Sequence, residues 1–574
     1  MGISLNTIRI KNVRSIRDIQ FELGNNTVLF GHNNGGKSNF LYAITLALEK
    51  ARFEKEDLFF SDEEPYSEER EASVDLFFVP VDENGHRCGM FNDDWSALLG
   101  CLIGIDDNGS QFFGLHTTLS YDKDINGYRK IRRNISLWTD KPQLNSQRIP
   151  EKVMDCFDCT YMDAQRDISL DITDRQSFWN KRISNMNMPD ELKTRYCETV
   201  RELNREIIDN NPILTDVRNN LDSIIPDGTI SMHLIPEDVN KLHRGLEIGI
   251  DDGAGIISIS NMGLGTRNLA VLSSIRTIIN SDLEKIKTKY CIFLAEEPES
   301  HLHPSLQKSL VKEFKKMSAQ TIITTHSPFF ISKSDITDLV CCNHSKDGSK
   351  YTSLKGNNFS DKESKLLNRV FIERRAEALF SDLIILSEGK TELLALPKYF
   401  ESYFGKTTDE MNVSVIDVGG SSDYKPLLIA CNAFKIKWII FSDGEEKTIK
   451  SLSNEINSVF GKGNFDQMIK EKIFIIPDGH CYEDLLIAEG CAEIIETTLS
   501  TGKYKNRFKN QKNDKKNKNP DLSNDELLSL ILKMEDNKTE YATPTAKAIS
   551  DAKKIPQVIK DMLLMVKKII GDTI

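Results

Sequence analysis

The residues Gly31-His32-Asn33-Asn34-Gly35-Gly36-Lys37-Ser38 constrain this chain more than any other stretch. They match G-x-x-x-x-G-K-[ST] at every defined position, and their flanks agree with it. Val28, Leu29 and Phe30 make a short apolar run that reads as a strand, while Phe40, Leu41, Ile44, Ala47 and Leu48 recur at helical spacing. A loop joining a strand to a helix in this way aims backbone N–H groups and the positive end of a helix dipole at an anion. Lys37 would reach the β and γ phosphates and Ser38 would hold Mg²⁺. A chance glycine-rich turn is the plainer alternative; it leaves the agreement of motif and flanks unexplained.

The chain has 574 residues, too many for one core, which predicts about three or four domains. With 39% hydrophobic and 28% charged residues the composition is that of a folded, soluble protein. No apolar run approaches the roughly 18 residues of a membrane span, and the start lacks a charged-then-apolar signal pattern, so a cytoplasmic protein without membrane contact is expected. Asn6 stands where N-myristoylation wants Ser or Thr. The 11 cysteines lack framework spacing and read as free thiols; Cys156 and Cys159 have no second pair at zinc spacing. The net charge of -12 means that any nucleic-acid contact must come from local basic patches.

Further motifs follow in order. Leu5, Ile8 and Ile10, then Ile19, Phe21 and Leu23, read as strands before the loop, and Val74–Val79 and Gln111–Leu119 as strands after an acidic, solvated stretch. Leu192, Tyr196, Val200, Leu203 and Ile207 follow a helical stripe that Asn210-Asn211-Pro212 breaks before another begins at Leu214. A helical hairpin inserted in an α/β domain is the simplest account, its stripe serving as core or dimer contact. The polar cluster Tyr161–Asp167 includes Gln165, which would help hold Mg²⁺ or a water if it lay near a nucleotide; a structural turn is the alternative. Gly263 and Gly265, just before a helical run at Asn268–Ile279, would let backbone N–H groups approach a phosphate. Cys291–Ala295 is a buried-strand run ending in Glu296-Glu297-Pro298-Glu299, where α/β proteins place ligands. Glu296 would orient Mg²⁺ through water and Glu297 would polarise the water attacking the γ-phosphate. Thr321–Thr325 then leads to His326, positioned to sense the γ-phosphate.

This ordered set resembles the ATP-binding-cassette ATPases, in the branch with chromosome-maintenance and RecF-type proteins. By that likeness Gly31–Ser38 is the Walker A motif, Ser260–Arg267 a degenerate signature, Glu296-Glu297 the Walker B pair and His326 the switch histidine. The likeness implies ATP sandwiched between Walker A of one subunit and the signature of another, hence a homodimer. Glu296 replaces the usual Asp.

After a linking helix expected at Phe371–Phe380, the run Leu383–Ser387 ends in Glu388-Gly389-Lys390-Thr391-Glu392. Strands are expected at Val413–Val418, Ile436–Phe441 and Ile473–Ile476, with helices between, and the second runs into Ser442-Asp443-Gly444-Glu445. Asp443 and Glu445, two apart in an extended segment, point to one side. With Glu388 they would hold Mg²⁺ or Mn²⁺ through hard oxygens, and Tyr482-Glu483-Asp484 adds acids, enough for a two-metal site that clamps a phosphodiester. Each acid alone is equally well read as a strand-end cap.

The pattern resembles the Toprim fold, with a D-x-E where D-x-D is usual. A cassette head followed by Toprim resembles the OLD (overcoming lysogenization defect) family of nucleases over residues 1–500, most specifically at Asn33–Asn39, Glu296–Pro304 and Glu388–Glu392. The resemblance implies ATP and Mg²⁺ or Mn²⁺ as cofactors and DNA as substrate. It also implies a metal centre of Glu388, Glu392, Asp443, Glu445 and Glu483, a phosphate-stabilising Lys547, and a role in bacterial defence against phage, with a partner protein or nucleic acid encoded nearby. The fold expected is α/β: an ATPase domain over 1–375 with a helical insertion near 170–230, a Toprim domain over 376–500, and a basic loop and helical region over 501–574. Lys503–Lys518 carries eight basic residues against Asp514 and reads as a solvated loop or as a DNA-phosphate patch. The rival functions are an ATP-gated DNA-binding scaffold and a RecF-like repair factor, each with a Toprim unit that does not cut.

Overall fold

The computed structural model describes residues 2–49, 51–61, 64–163, 189–212, 215, 235, 249–251, 256–258, 264–300, 302–355, 357, 359–420, 423–469, 471–500, 527 and 538–571. These fall into two contact units, Met1–Thr27 with Ser38–Thr325, and Val28–Lys37 with His326–Ile574. Among the described residues no helix is long and apolar enough to cross a membrane.

In the first unit, β1 (Gly2–Val13) and β2 (Ile16–Glu22) form a hairpin and α1 (Lys37–Leu48) follows the glycine-rich loop, which with most of β3 (Asn26–Phe30) belongs to the second unit. Strands β4 (Ala72–Val81), β5 (Ile103–Ile105), β6 (Gln111–Asp122), β7 (Gly127–Leu137) and β8 (Gln143–Arg148) complete an antiparallel sheet ordered β2-β1-β4-β6-β7-β8, with β5 on β6. The α1 residues Phe40, Leu41, Ile44 and Ala47 are fully buried, so packing holds this helix. Its C-terminal end is held by β7: Lys130 donates to the Glu49 and Ala51 carbonyls, and Arg132 to that of Glu49.

Beyond this sheet, β9 (Phe157–Met162), the short hairpin β10 (Gly249–Asp251) and β11 (Ile256–Ser258), β12 (Tyr290–Glu296) and β13 (Gln320–Thr324) follow, with helices α2 (Asp190–Asp209), α3 (Leu264–Lys285) and α4 (Pro304–Lys315). Strand β12 lies between β9 and β13, parallel to both, as suits the unbroken apolar run of a strand buried on both faces. The stripe expected on the inserted helix needs correction. Leu192, Leu203 and Ile207 are exposed, and Val200, Asn204 and Ile208 are buried on α2. Val200 is buried as expected, while beyond it the buried face runs through Asn204, which exchanges two 2.8 Å hydrogen bonds with the backbone of Ile235, and Ile208.

In the second unit, Val28–Phe30 of β3 pairs in parallel with β14 (Leu339–Ser345), whose antiparallel partner is β15 (Gly348–Ser353). Past α5 (Asp361–Leu367), the expected linking helix is irregular: a π-helical turn over Asn368–Arg374 followed by a 3₁₀ turn over Ala376–Phe380. Strands β16 (Leu383–Ser387), β17 (Val413–Asp417), β18 (Lys437–Ser442) and β19 (Ile473–Ile475) then form an all-parallel sheet ordered β17-β16-β18-β19. Helices α6 (Lys390–Phe404), α7 (Tyr424–Ala433), α8 (Glu446–Phe460), α9 (Tyr482–Ala488), α10 (Lys538–Asp551) and α11 (Gln557–Ile570) accompany it. Ile559, Met562, Leu563 and Val566 of α11 are fully buried in its core. Register puts Ser387 level with Phe441, so the residues after β16 and β18 emerge at one edge.

Candidate functional site

The phosphate loop owes its shape to glycines that stand against backbone. A Cβ on Gly31, whose φ is +136°, would lie 2.2 Å from the Cys342 carbonyl oxygen, and one on Gly35 would lie 2.5 Å from the same atom. Lys37 is buried, and its Nζ donates to the carbonyls of Gly31 (3.1 Å) and His32 (2.9 Å), so the ammonium is held over the loop. Asn33 and Asn34 are exposed, Asn34 with φ 63°, while Gly36 is buried and its carbonyl accepts from Tyr351.

Ser38, the next residue, donates its hydroxyl to Glu296 Oε1, and Tyr161 donates to Glu296 Oε2. The hydroxyl and carboxylate expected to hold a nucleotide-bound cation are thus in direct contact. Tyr161 reaches Glu296 because β9 runs beside β12 with Tyr161 opposite Leu294. Glu297 has φ 41°, uncommon for this residue type; its amide donates to both the carbonyl and the hydroxyl of Thr324, each at 3.1 Å, which fixes the carboxylate's direction. Asn39 donates to Ser15, His326 is half-buried in the turn after β13, and Gly265 lies in the first turn of α3. Gly263 and Gln165 lie outside the described residues.

The second constellation lies at the C-terminal edge of the parallel sheet, where doubly wound sheets place ligands. The Glu388 carboxylate accepts from the Ser442 hydroxyl at 3.3 Å, the Asp443 amide at 3.4 Å and the Thr448 hydroxyl at 3.4 Å. Gly444 is required between Asp443 and Glu445. A Cβ there would stand 2.0 Å from the Ile476 carbonyl oxygen, and the Gly444 amide donates to His480. Glu392 and Glu483 are buried; Glu483 accepts from the Tyr541 hydroxyl at 3.3 Å and the Cys481 thiol.

Burial and mutual repulsion mark these acids. Burial, then the charges of Glu392, Glu388, Glu483 and Glu445, push the Asp443 carboxyl up to about 8. Burial first, with Glu483 and Glu388 adding, pushes Glu392 up to about 7, and burial raises Glu388. Asp443 Oδ1 and Glu392 Oε2 are buried without a hydrogen-bond partner. Among the described residues no three acidic, His or Cys side chains stand within one ion's coordination shell. The donor set nevertheless fits a hard divalent cation: carboxylate oxygens, two of them orphaned, in a pocket that resists its own negative charge.

Glu445 is exposed at the start of α8, although its charge acts on Glu388 and Asp443. Lys547 is exposed on α10, and the group its charge lowers is Glu401, at the far end of α6 from Glu392. The basic run Lys503–Lys518 lies outside the described residues. Tyr161, Tyr424, Thr448 and Tyr541 are site neighbours that no spacing rule singles out.

Comparison with known proteins fixes the family. The AAA ATPase domain family matches residues 4–84 and 113–331, just over half of the chain, and the TOPRIM domain of overcoming lysogenization defect protein-like proteins matches residues 379–444. The chain belongs to the AAA ATPase domain family and carries an OLD-like TOPRIM domain. It thus joins an ATPase domain to a TOPRIM domain in one chain. It is 22% identical over 471 residues to the Old nuclease of Escherichia phage P2, covering 77% of each chain. It is 22% identical over 498 residues to the endonuclease GajA of Bacillus cereus (strain VD045), covering 81% of this chain and 80% of the relative. Two solved structures align more loosely. A SmcHead bound to the C-winged helix domain of ScpA covers 62% of this chain and 98% of its own, at 19% identity and TM-score 0.37. The C-terminal region of the Xanthomonas campestris pv. campestris OLD protein covers 33% of this chain and 97% of its own, at 20% identity and TM-score 0.26.

Proposed function

We propose that this chain is an ATP-binding, metal-dependent DNA endonuclease whose Toprim edge cuts and whose head binds nucleotide as a homodimer. The observation that carries the reading is the junction of Glu388 with Asp443, whose amide lies 3.4 Å from the Glu388 carboxylate beside orphaned oxygens of Asp443 and Glu392. Glu388, Glu392, Asp443 and Glu483 would hold Mg²⁺ or Mn²⁺, with Glu445 at the mouth. A cation held there supplies Lewis-acid stabilisation of the phosphodiester and of the attacking water. The chain's own contribution is to fix the carboxylates: Thr448 and Ser442 orient Glu388, and Tyr541 orients Glu483.

In the head, Ser38 and Glu296 would hold the nucleotide's Mg²⁺, Lys37 would bind phosphate through its ammonium, Glu297 would polarise water, and His326 would meet the γ-phosphate. Domain bounds at 375 and 500, ATP shared between Walker A and the Gly263–Gly265 segment of a second copy, Lys547 as a phosphate contact, and defence against phage with a partner encoded nearby belong to the same proposal. The test is nicking of supercoiled plasmid with Mg²⁺ or Mn²⁺ by wild type and by Glu388→Ala combined with Asp443→Ala. Cutting lost only in the variant supports the reading. Equal cutting, or salt-sensitive DNA retention without nicking under either metal, favours the non-cutting scaffold instead.

A further inference from the structure

Tyr424 is fully buried at the first position of α7, and no hydrogen-bond partner meets its hydroxyl. The backbone around it is pinned: the amides of Tyr424 and Lys425 donate to the Glu455 carboxylate of α8 at 2.7 and 3.0 Å. The same helix supplies Thr448 to Glu388, so one element anchors both. The charges bearing on the phenol are those of Glu388, Glu392 and Asp443. The Ser442 hydroxyl flanks it but stands outside hydrogen-bonding geometry.

Tyr424 Oη, Asp443 Oδ1 and Glu392 Oε2 are each buried without a partner, and the charges of Asp443 and Glu392 reach the phenol. One is a donor and two are acceptors. A phenylalanine would fill the ring's volume without burying an unpaired hydroxyl, which is a net cost to the fold. The hydroxyl is useful only to something the cluster acquires. We propose that Tyr424 is a positioning residue of the Toprim centre: when a hard divalent cation occupies the cluster, its hydroxyl, otherwise without a partner, donates to the Asp443 carboxylate and fixes its rotation while the remaining oxygens take the cation. Groups that orient a metal ligand in this way set the ligand's affinity without touching the ion.

The inference rests on the nuclease reading above, and the full-length chain carrying Tyr424→Phe tests it. Mn²⁺ binding is measured by calorimetry, and plasmid nicking by titrating Mn²⁺, with wild type and Glu388→Ala alongside. The expected result is Mn²⁺ affinity weakened about tenfold or more, with half-maximal nicking shifted to higher Mn²⁺ by a similar factor and recovered at saturating metal. Thermal unfolding of the metal-free variant stays at or above the wild-type temperature, which separates positioning from misfolding. Wild-type Mn²⁺ affinity in Tyr424→Phe would overturn the inference while leaving the nuclease reading intact. Mn²⁺ binding weakened by Tyr424→Phe in a chain that never nicks DNA would keep the inference and overturn the nuclease reading. Absence of Mn²⁺ binding even in wild type would overturn both.

Discussion

If a cation binds the Toprim acids as proposed, it must expel the protons that burial and mutual repulsion keep on them. At pH 7 a carboxyl raised to about 8 is protonated about 90% of the time, and one raised to about 7 is protonated about half of the time. Loading Asp443 and Glu392 together therefore releases roughly 1.4 protons, against almost none for carboxyls at their ordinary values. Acidifying from pH 7 to pH 6 should weaken apparent Mn²⁺ affinity about 50-fold, whereas above pH 9 the dependence flattens. The assay is isothermal titration in buffers of different ionisation enthalpy, with the slope giving the proton count. Asp443→Asn should cut the count to about half a proton or fewer, because Glu392 also loses a repelling neighbour. The same shifts carry a stability sign. The folded values exceed the unfolded ones, so the metal-free protein loses stability as pH rises from about 4 to about 8, and Asp443→Asn should recover stability at pH 7.5 relative to pH 4. Release of fewer than about 0.2 protons at pH 7 would refute the reasoning, since the acids would then be ionised before any ion arrives.

Other outcomes follow from particular contacts. Gly444→Ala would force a methyl group to 2.0 Å from the Ile476 carbonyl oxygen; a stability loss of about 1–3 kcal/mol by chemical denaturation, with nicking abolished, is expected. Ser38→Ala removes the hydroxyl that meets Glu296, and phosphate release from ATP should fall about tenfold or more, with unfolding unchanged because Ser38 is exposed. Burial lowers Lys130 from 10.5 to about 8. The unfolded chain therefore binds more protons between those values, and stability should rise from pH 8 to pH 10.5, a rise that Lys130→Met removes in denaturant titrations at the two pH values.

The strands that build both sites were legible because each is an apolar run ending in an acid or a glycine. The phosphate loop, Glu296, Glu388 and Asp443 follow directly from that grammar. Strand β7 was not singled out, since Tyr128-Arg-Lys-Ile-Arg-Arg-Asn134 carries no apolar run, although its Lys130 and Arg132 hold the end of α1. On the inserted helix Val200 was placed correctly and Leu203 and Ile207 were not, since no hydrophobicity pattern foresees Asn204 turning inward to pair with the Ile235 backbone. Tyr161 and Tyr424 were illegible as site residues for another reason. Tyr161 meets Glu296 from a neighbouring strand, and Tyr424 feels the Toprim carboxylates from α7; proximity between distant segments leaves no spacing in the sequence.

The most direct measurement is anomalous scattering from crystals of the full chain grown with Mn²⁺. The account predicts a peak bounded by the carboxylates of Glu388 and Asp443 that disappears in Asp443→Asn. A peak at the head alone, with none at the Toprim edge of a chain that still nicks plasmid, would contradict it.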